Sequence, residues 1–484
     1  MAAKPCTNPA KTTKLDLSRI IERWAKQRPS KVALHFHGAE WTYSEFWQRI
    51  EQATLALRVS KGERVAWLGY NHPDMLVLLF AAARRGALLV PLNWRLAAAE
   101  HRAILQDCAP RWLFADEAFS AQAARLGVPA GHLEACDQAE PAGSDDDDLL
   151  IVYTSGTTGK PKGTVLAQSA LLWNGYNSIQ AHELTDADQV LSPLPMFHVG
   201  GLNNQTVPAF LAGASVILHR RFEPGQWLAD VQARKPTISL LVPAAMRAVI
   251  DHQDWARTDL SSLRLLNTGS MVVPESLIRA FHERGVAVGQ IYGCTETAPI
   301  AIVLRREDAI AKIGSAGKPA LHCEVKLMDG EIWVRGPNVM RRYWRAPEAT
   351  AAALDGDGWF RTGDLARIDA DGYYWIMGRS KDVIISGGEN IYPAELENVL
   401  ADCPEIAESA VIGMEDAKWG ESACAIVVCK TGTMLDEAAV LALFHGRLAR
   451  YKHPRRVVFT DALPKNALGK VRKHELKNLL LAPN

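Results

Sequence analysis

The sequence predicts an α/β protein: a large N-terminal domain of doubly wound α/β subdomains with a small β-barrel-like element, then a small α+β C-terminal domain. Three observations carry that prediction. At 484 residues the chain is too long for one ordinary domain. Short apolar runs alternate with helix-length segments from residue 33 to residue 292, the texture of βαβ units and parallel sheets. From residue 323 to 371 the texture changes to short strands with Gly, Pro and Asp turns, and past residue 381 to one more mixed unit.

Residues 1–14 carry Lys4, Lys11 and Lys14 but no apolar h-region, so they read as a loose tail and not a signal peptide. Residues 15–28 place Leu17, Ile20, Ile21, Trp24 and Ala25 on one helical stripe, and 33–36 is a short strand. Thr42 with Glu45 three residues on signals a capped helix start. Strand 64–68, helix 73–84 and strand 87–91 form a βαβ unit, with Pro73 suited to a first helical turn. A second unit follows through 99–107 and 112–115. The acidic run from Ser144 to Asp148 reads as a solvated linker before the strand 149–152. Ser169 is expected to cap a helix through residue 177. Strand 189–194, helix 202–211 and strand 215–219 continue the alternation, as do strands 239–242, 263–268 and 289–292 with helices 244–251 and 274–284. Strands 331–335 and 373–377 belong to the β element. Gly378-Arg379-Ser380-Lys381-Asp382 is a polar break, which puts the domain boundary at Lys381 and the domains at 1–380 and 381–484. The second domain is expected to hold helix 393–400, strands 407–413 and 423–428, helix 437–449 and strand 456–460.

Composition excludes several classes. Lys+Arg equals Asp+Glu at 54 each, which gives no bulk attraction to nucleic acid or an anionic membrane. No apolar run approaches the ~18 residues of a transmembrane helix; the longest, 75–83, is stopped by Arg84-Arg85. The eight cysteines form no CxxC pair, and Cys424 and Cys429 are odd-spaced on one expected strand. Reduced thiols, no zinc site and a cytoplasmic location are the expectation.

Chemistry concentrates after residue 151. Ile151-Val152 leads into Tyr153-Thr154-Ser155-Gly156-Thr157-Thr158-Gly159-Lys160-Pro161-Lys162-Gly163. Its glycines permit close backbone approach, its hydroxyls hydrogen-bond and its lysines supply charge, so the loop can cradle a polyphosphate. It is not a Walker A loop, because only two residues separate Gly156 from Gly159 and Pro161 follows Lys160. The segment resembles, nearly residue for residue, the signature phosphate loop of the adenylate-forming superfamily, which contains acyl-CoA synthetases, peptide-synthetase adenylation domains and luciferases. The resemblance implies ATP phosphates held by Thr154, Ser155, Gly156, Thr157, Thr158, Gly159, Lys160 and Lys162.

Four more segments keep the superfamily's order. In Tyr292-Gly293-Cys294-Thr295-Glu296-Thr297 a Tyr can stack on a base, Thr295 can bond a phosphate, and Glu296 is a hard oxygen ligand suited to Mg²⁺. The resemblance assigns Tyr292 to adenine and Glu296 to the metal. Thr362-Gly363-Asp364 matches the ribose-binding carboxylate, and Arg379 the second ribose or phosphate contact. Ser386-Gly387-Gly388-Glu389 matches the segment that swings in for the thioester step, Gly387 and Gly388 letting the pantetheine arm approach the backbone. Pro464-Lys465-Asn466-Ala467-Leu468-Gly469-Lys470 resembles the catalytic-lysine segment, with Lys470 aimed at charge that develops in the transition state. His198 matches a position at the pantetheine tunnel and acyl pocket, although a His after a strand also serves as a cap.

The resemblance implies an AMP-forming carboxylate–CoA ligase using ATP, Mg²⁺ and coenzyme A on a small carboxylic acid, with catalytic roles for Lys470, Thr295, Glu296 and His198. It also implies a mobile C-terminal domain pivoting at Lys381, and a homodimer is compatible with it. The helix bearing Asn203, Asn204, Gln205 and Thr206 is polar for a fatty-acid tunnel and contains no Arg, so a monocarboxylate is expected, either a hydroxylated aromatic acid or a medium-chain fatty acid. Gly269-Ser270-Met271-Val272 departs from the family's usual Gly-Gly-Ala-Pro. Alternatives are an adenylation enzyme serving a carrier protein, for which no carrier segment follows residue 484, a luciferase-like oxygenase, or a non-catalytic nucleotide-binding scaffold.

Overall fold

The computed structural model describes residues 16–132, 141–154, 161–271, 273–465 and 471–481. Among these residues the strands form four sheets. One runs in the order Arg342–Tyr343, Lys162–Ala167, Asp148–Thr154, Leu88–Leu92, Arg64–Leu68, Trp112–Ala115. Its last four strands are parallel, and the first two add antiparallel. The helix Pro73–Arg85 feeds this sheet; Met75 to Ala83 are all buried, so the helix is apolar all round because it lies inside the core. Proline opens it and Gly86, at φ 65°, ends it in the left-handed region.

The second sheet has nine strands, and its middle six are parallel: Val288–Tyr292, Leu265–Gly269, Ile238–Leu240, Gln189–Ser192, Ser215–Leu218 and Val32–Phe36. These are the two doubly wound sheets that the alternation predicts. The helix Tyr43–Ala56 starts as its sequence signals: Glu45 N–H donates to Thr42 Oγ1 at 3.2 Å, and Thr42 N–H donates to the Glu45 carboxylate at 2.8 Å. The short strands of the β element form a four-stranded antiparallel sheet, Glu324–Met328, Glu331–Arg335, Phe360–Ile368 and Tyr374–Arg379, with no pairing that closes it into a barrel among the described residues. The remaining sheet contains Ile384–Ser386, Glu389–Ile391, Ile406–Asp416, Gly420–Cys429 and Arg456–Phe459, and encloses its own core around Leu396, Val411, Val427 and Phe444.

Several local expectations give way. Ser169 is not a cap: the helix runs Gln168–His182 from Ala167, and buried Gln168 instead clamps distant backbone, accepting from Leu17 N–H at 2.7 Å and donating to Ala83 O at 3.0 Å. The acidic run is no free linker. Asp147 pairs with Lys61 and Asp148 with Arg342, both at 2.7 Å, because the sheet brings those cations beside it. Helix 437–449 stops at Ala442, and Gly446 in the left-handed region breaks the turns beyond. No helix among the described residues is long and apolar enough to cross a membrane.

Candidate active site

The C-terminal ends of parallel strands are where α/β sheets bind ligands, and Tyr292 ends one of them. Its hydroxyl donates to Asp364 Oδ2 at 2.9 Å. Asp364 stands opposite Arg379 across antiparallel strands, and Arg379 Nε lies 2.8 Å from Asp364 Oδ1. Asp364 N–H donates to Thr362 Oγ1 at 3.0 Å, which in turn donates to Ile332 O at 2.7 Å. Three residues expected at adenine and ribose are thus one group, Tyr292 hydrogen-bonded and Arg379 ion-paired to Asp364, drawn from two sheets. Burial, then the Asp364 charge, pushes the Tyr292 phenol well above its ordinary value, so it remains a neutral donor. Burial works to lower the Arg379 pKa, but the neighbouring Asp364 charge holds it above the ordinary value.

The loop after Tyr292 is fixed from behind. A Cβ at Gly293 would sit 1.7 Å from Pro299 O, so only glycine fits. Thr297 Oγ1 accepts from Cys294 N–H at 3.0 Å and donates to Pro299 O at 2.8 Å. Asn338 Nδ2 donates to both Thr297 O and Ile300 O. Thr295 is buried, and the Glu296 side chain is only partly covered. Glu296 Oε1 accepts from Tyr343 OH at 2.8 Å, and Lys162 Nζ lies 5.3 Å from the Tyr343 ring centroid. Tyr343 therefore joins Glu296 to one end of the phosphate loop. Thr154 pairs in register with Lys162 and marks the other end. Ser155, Gly156, Thr157, Thr158, Gly159, Lys160 and Lys470 lie outside the described residues.

Sequence reasoning missed Tyr343 and Asn338. Neither lies in a recognisable motif, and Tyr343 belongs to a two-residue strand whose partner, Thr164, lies far away in sequence. As a metal site, the loop offers one hard carboxylate; no group of three or more His, Cys, Asp or Glu side chains is poised for a metal among the described residues. That donor set fits Mg²⁺, which is commonly held by one or two carboxylates, substrate phosphates and water.

His198 caps a short helix and borders a cleft. Nδ1 accepts from Gly200 N–H at 3.1 Å and caps the short helix Val199–Gly201. His198 also lines a narrow cleft of about 40 Å³ with Asn204, Leu240, Gly269, Ile291 and Cys294. Accepting at Nδ1 places the proton of neutral imidazole on Nε2. Burial lowers the His198 pKa to about 4, so the ring is neutral at pH 7. Burial likewise raises the Cys294 thiol well above its ordinary value, which leaves it protonated. At the Gly269-Ser270 wall the backbone is tight. A Cβ at Gly269 would fall 2.2 Å from Ile291 O, and Ser270 adopts φ 72°, left-handed for a non-glycine residue.

Gly387 and Gly388 are not brought to this group. They form the two-residue turn of the hairpin Ile384–Ser386/Glu389–Ile391, with φ 60° and 87°. A Cβ at Gly387 would meet the Trp419 ring at 2.7 Å, whereas one at Gly388 would meet open space. Lys381 is exposed in the turn Ser380–Asp382 between the two sheets.

The sequence profile described as AMP-binding enzyme matches residues 21–344, and that of the AMP-binding enzyme C-terminal domain matches residues 395–470. An indoleacetate–CoA ligase of Aromatoleum aromaticum is 48% identical, the alignment covering 96% of this chain and 98% of that protein. A feruloyl-CoA synthase of Amycolatopsis sp. is 42% identical, with 94% and 97% covered. The solved structure of the anthranilate CoA ligase AuaEII in complex with anthranoyl-AMP superposes with a TM-score of 0.90 at 28% identity, covering 97% and 98% of the two chains. With its fold, motif order and nearly full-length similarity in agreement, the chain belongs to the AMP-binding enzyme family, the adenylate-forming superfamily, and is an AMP-forming acid–thiol ligase.

Proposed function

We propose that this ligase activates an aromatic monocarboxylic acid with MgATP and transfers the acyl group to coenzyme A. The observation that carries the choice of acid is the cleft beside His198. Leu194, Leu240, Val242, Ile291 and Pro299 make its walls apolar, and none of the described residues lining it carries a cationic group. Such a surface suits a flat apolar body with no second carboxylate. Two relatives named for aromatic acids support the same reading.

In the first half-reaction a carboxylate oxygen attacks the α-phosphorus of ATP; the new O–P bond forms as the bond to pyrophosphate breaks. Positioning and charge neutralisation are the protein's contribution. Thr154, the loop residues 155–160 and Lys162 hold the phosphates, and Thr295 lends its hydroxyl to the α-phosphate. Tyr292 packs on adenine, while Asp364 and Arg379 exchange part of their mutual pairing for the ribose hydroxyls. Glu296, oriented by Tyr343, holds Mg²⁺, which supplies charge neutralisation when bound. Lys470 places a positive charge on the pentavalent phosphorus. His198 Nε2–H, left free by the cap at Nδ1, is available to the acyl oxygen. In the second half-reaction the domain beyond Lys381 reorients and brings Gly387 and Gly388 to the pantetheine arm. The coenzyme A thiolate, its proton already lost to solvent, attacks the acyl carbon; the C–S bond forms as the acyl C–O bond breaks, and AMP leaves with the oxygen and the electron pair. We place the enzyme in the cytoplasm, on the strength of its scattered, unpaired pattern of cysteines.

The test is pyrophosphate release with a panel of aryl and straight-chain acids, with and without coenzyme A. Aryl acids should release pyrophosphate, and only coenzyme A should make turnover continuous. Preference for long straight-chain acids would overturn the aromatic reading. Lys470→Ala should slow acyl-AMP formation by about 10²–10³-fold and leave thioester formation from supplied acyl-AMP nearly untouched. Equal loss in both half-reactions would remove Lys470 from the adenylation step.

A further inference from the structure

The phosphate loop is carried by two antiparallel strands, and Thr154 and Lys162 pair in register at its ends. Between them the sequence offers hydroxyls, glycines, a lysine and a proline, with no large apolar side chain to pin a loop to the core. Its direction is therefore set by the strands. The next pair inward is Tyr153 and Gly163. Both are tied to one residue far off in sequence, Asp107.

Asp107 lies in the last turn of the helix Ala98–Cys108. Its carboxylate accepts from the Tyr153 hydroxyl. Its main-chain oxygen accepts from Trp344 Nε1–H at 3.2 Å and from Arg345 Nη1–H at 2.9 Å. Trp344 N–H in turn donates to Gly163 O at 2.7 Å. One strand is thus held directly, and the other through Trp344. A Cβ at Gly163 would come within 3.1 Å of the Tyr153 ring and 3.2 Å of Trp344 Cβ, so glycine lets both aromatic residues close on the backbone. The anchor is itself fixed. Arg64, which opens a parallel strand, donates to Cys108 O at 2.7 Å and to Ala109 O at 2.8 Å, and its guanidinium lies 5.4 Å from the Trp344 ring centroid.

For the helix alone, a carboxylate is a poor choice here. The last turn carries partial negative charge, and an acidic side chain beside it is unfavourable. The gain comes from Tyr153. Burial, then the bond to Asp107, pushes the Tyr153 phenol above its ordinary value, so it stays a neutral donor. With a carboxylate as acceptor the bond is of the stronger, charge-assisted kind.

We propose that Asp107 and Tyr153 are positioning residues of the adenylation step. Through them the helix end sets the spacing and direction of the two strands that deliver Thr154 and Lys162 to the ATP phosphates. They act through the strands and not by contact with ATP. The inference rests on the phosphate-loop reading above and names what holds that loop in place. A shift of about 1 Å in a positioning group can cost on the order of 100-fold in rate.

Three variants test it. Tyr153→Phe keeps the ring over Gly163 and removes only the hydroxyl. Asp107→Leu removes the acceptor, and Asp107→Asn retains one. The readouts are MgATP affinity by calorimetric titration, which needs no acid, kcat/KM for MgATP in pyrophosphate release, thioester formation from supplied acyl-AMP, and melting temperature. Tyr153→Phe and Asp107→Leu should each weaken MgATP binding and lower kcat/KM for MgATP by about tenfold or more, with thioester formation from acyl-AMP changed by less than about twofold. Asp107→Asn should recover most of the loss. Tyr153→Phe combined with Asp107→Leu should be no worse than the more severe single variant, because both cut the same link. Equal losses in the two half-reactions, in step with melting temperature, would make the pair a fold contact and overturn the inference. MgATP binding that neither variant changes would overturn it as well. Thr157→Ala separates this from the underlying reading. If that variant also leaves MgATP binding unchanged, the loop does not hold the phosphates, and the inference falls with that reading. If Thr157→Ala weakens MgATP binding and Tyr153→Phe does not, only the role of Asp107 and Tyr153 falls.

Discussion

Tyr343 shows what a single residue adds beyond its motif. Glu296 could be read from the sequence as a metal ligand, but the hydroxyl that orients its carboxylate comes from another strand and carries no local signature. Outer-sphere partners of this kind commonly govern metal affinity by 10–100-fold. Tyr343→Phe keeps the ring under Lys162 and removes only that hydroxyl. It should raise the Mg²⁺ concentration for half-maximal pyrophosphate release by about tenfold with little change in maximal rate; an unchanged Mg²⁺ profile would reduce the contact to packing. His182 makes a different statement, about stability. It is fully buried, with Nδ1 3.0 Å from Ser178 Oγ; burial and then the Arg264 charge lower its pKa from 6.5 to about 3. Between those values the unfolded chain binds the proton and the folded chain does not. Its contribution is therefore complete above pH 6.5 and is lost as pH falls toward 3. The loss has a limiting slope of about 1.4 kcal/mol per pH unit. His182→Gln should lose less melting temperature than wild type on moving from about pH 7 to pH 5. Equal losses in the two proteins would show that the ring is not buried in its neutral form.

At the scale of elements, the parallel strands and the helices between them were legible because local pattern and burial agree. The helix Pro73–Arg85 is announced by its proline and by its apolar run ending at Arg84-Arg85, and the chain obeys both. Elements set by distant contacts were not legible. Lys162–Ala167 begins inside a Lys/Gly stretch that reads as loop, and it is a strand because Asp148–Thr154 pairs along its length. Gln168 starts its helix in place of Ser169 because its amide is claimed by Leu17 and Ala83. The hairpin at Gly387-Gly388 was read as a place for a ligand to approach, yet geometry supplies a prior demand for both glycines. Each holds positive φ, which costs a non-glycine residue about 1 kcal/mol or more. Only Gly387 also lies against the Trp419 ring. Gly387→Ala should therefore lower the melting temperature more than Gly388→Ala. Gly388→Ala isolates backbone strain, so a loss of thioester formation greater than its loss of stability would assign that glycine to the pantetheine arm. Identical effects of the two substitutions would mean that Trp419 moves aside at no cost.

For the whole molecule the question is how one chain serves two chemistries at one site. Of the residues proposed at adenine and ribose, Tyr292 belongs to the nine-stranded sheet, and Asp364 and Arg379 belong to the four-stranded sheet, on the last two strands before the break. Beyond it, Ile384, Leu396, Val411 and Phe444 close a core of their own. Lys381 lies exposed in the short turn that joins these bodies. A unit with its own core can turn as a rigid body, and then a few residues absorb the whole change in φ and ψ. We propose that Lys381 is that pivot. Its side chain has no role that geometry requires, so Lys381→Ala should change either half-reaction by less than about twofold. Proline acts on the backbone instead: it fixes φ near −65° and removes the N–H. An orientation that keeps ATP productive should survive that constraint, while rotation to the thioester orientation should not. Lys381→Pro should then release about one pyrophosphate per enzyme and lose continuous coenzyme A-dependent turnover. Rapid-quench measurement of acyl-AMP and thioester in a single turnover decides the matter. If thioester forms at the wild-type rate, the pivot is elsewhere. If acyl-AMP is lost together with the thioester while the melting temperature is unchanged, the trapped orientation is not the adenylating one and the assignment of the two states must be reversed.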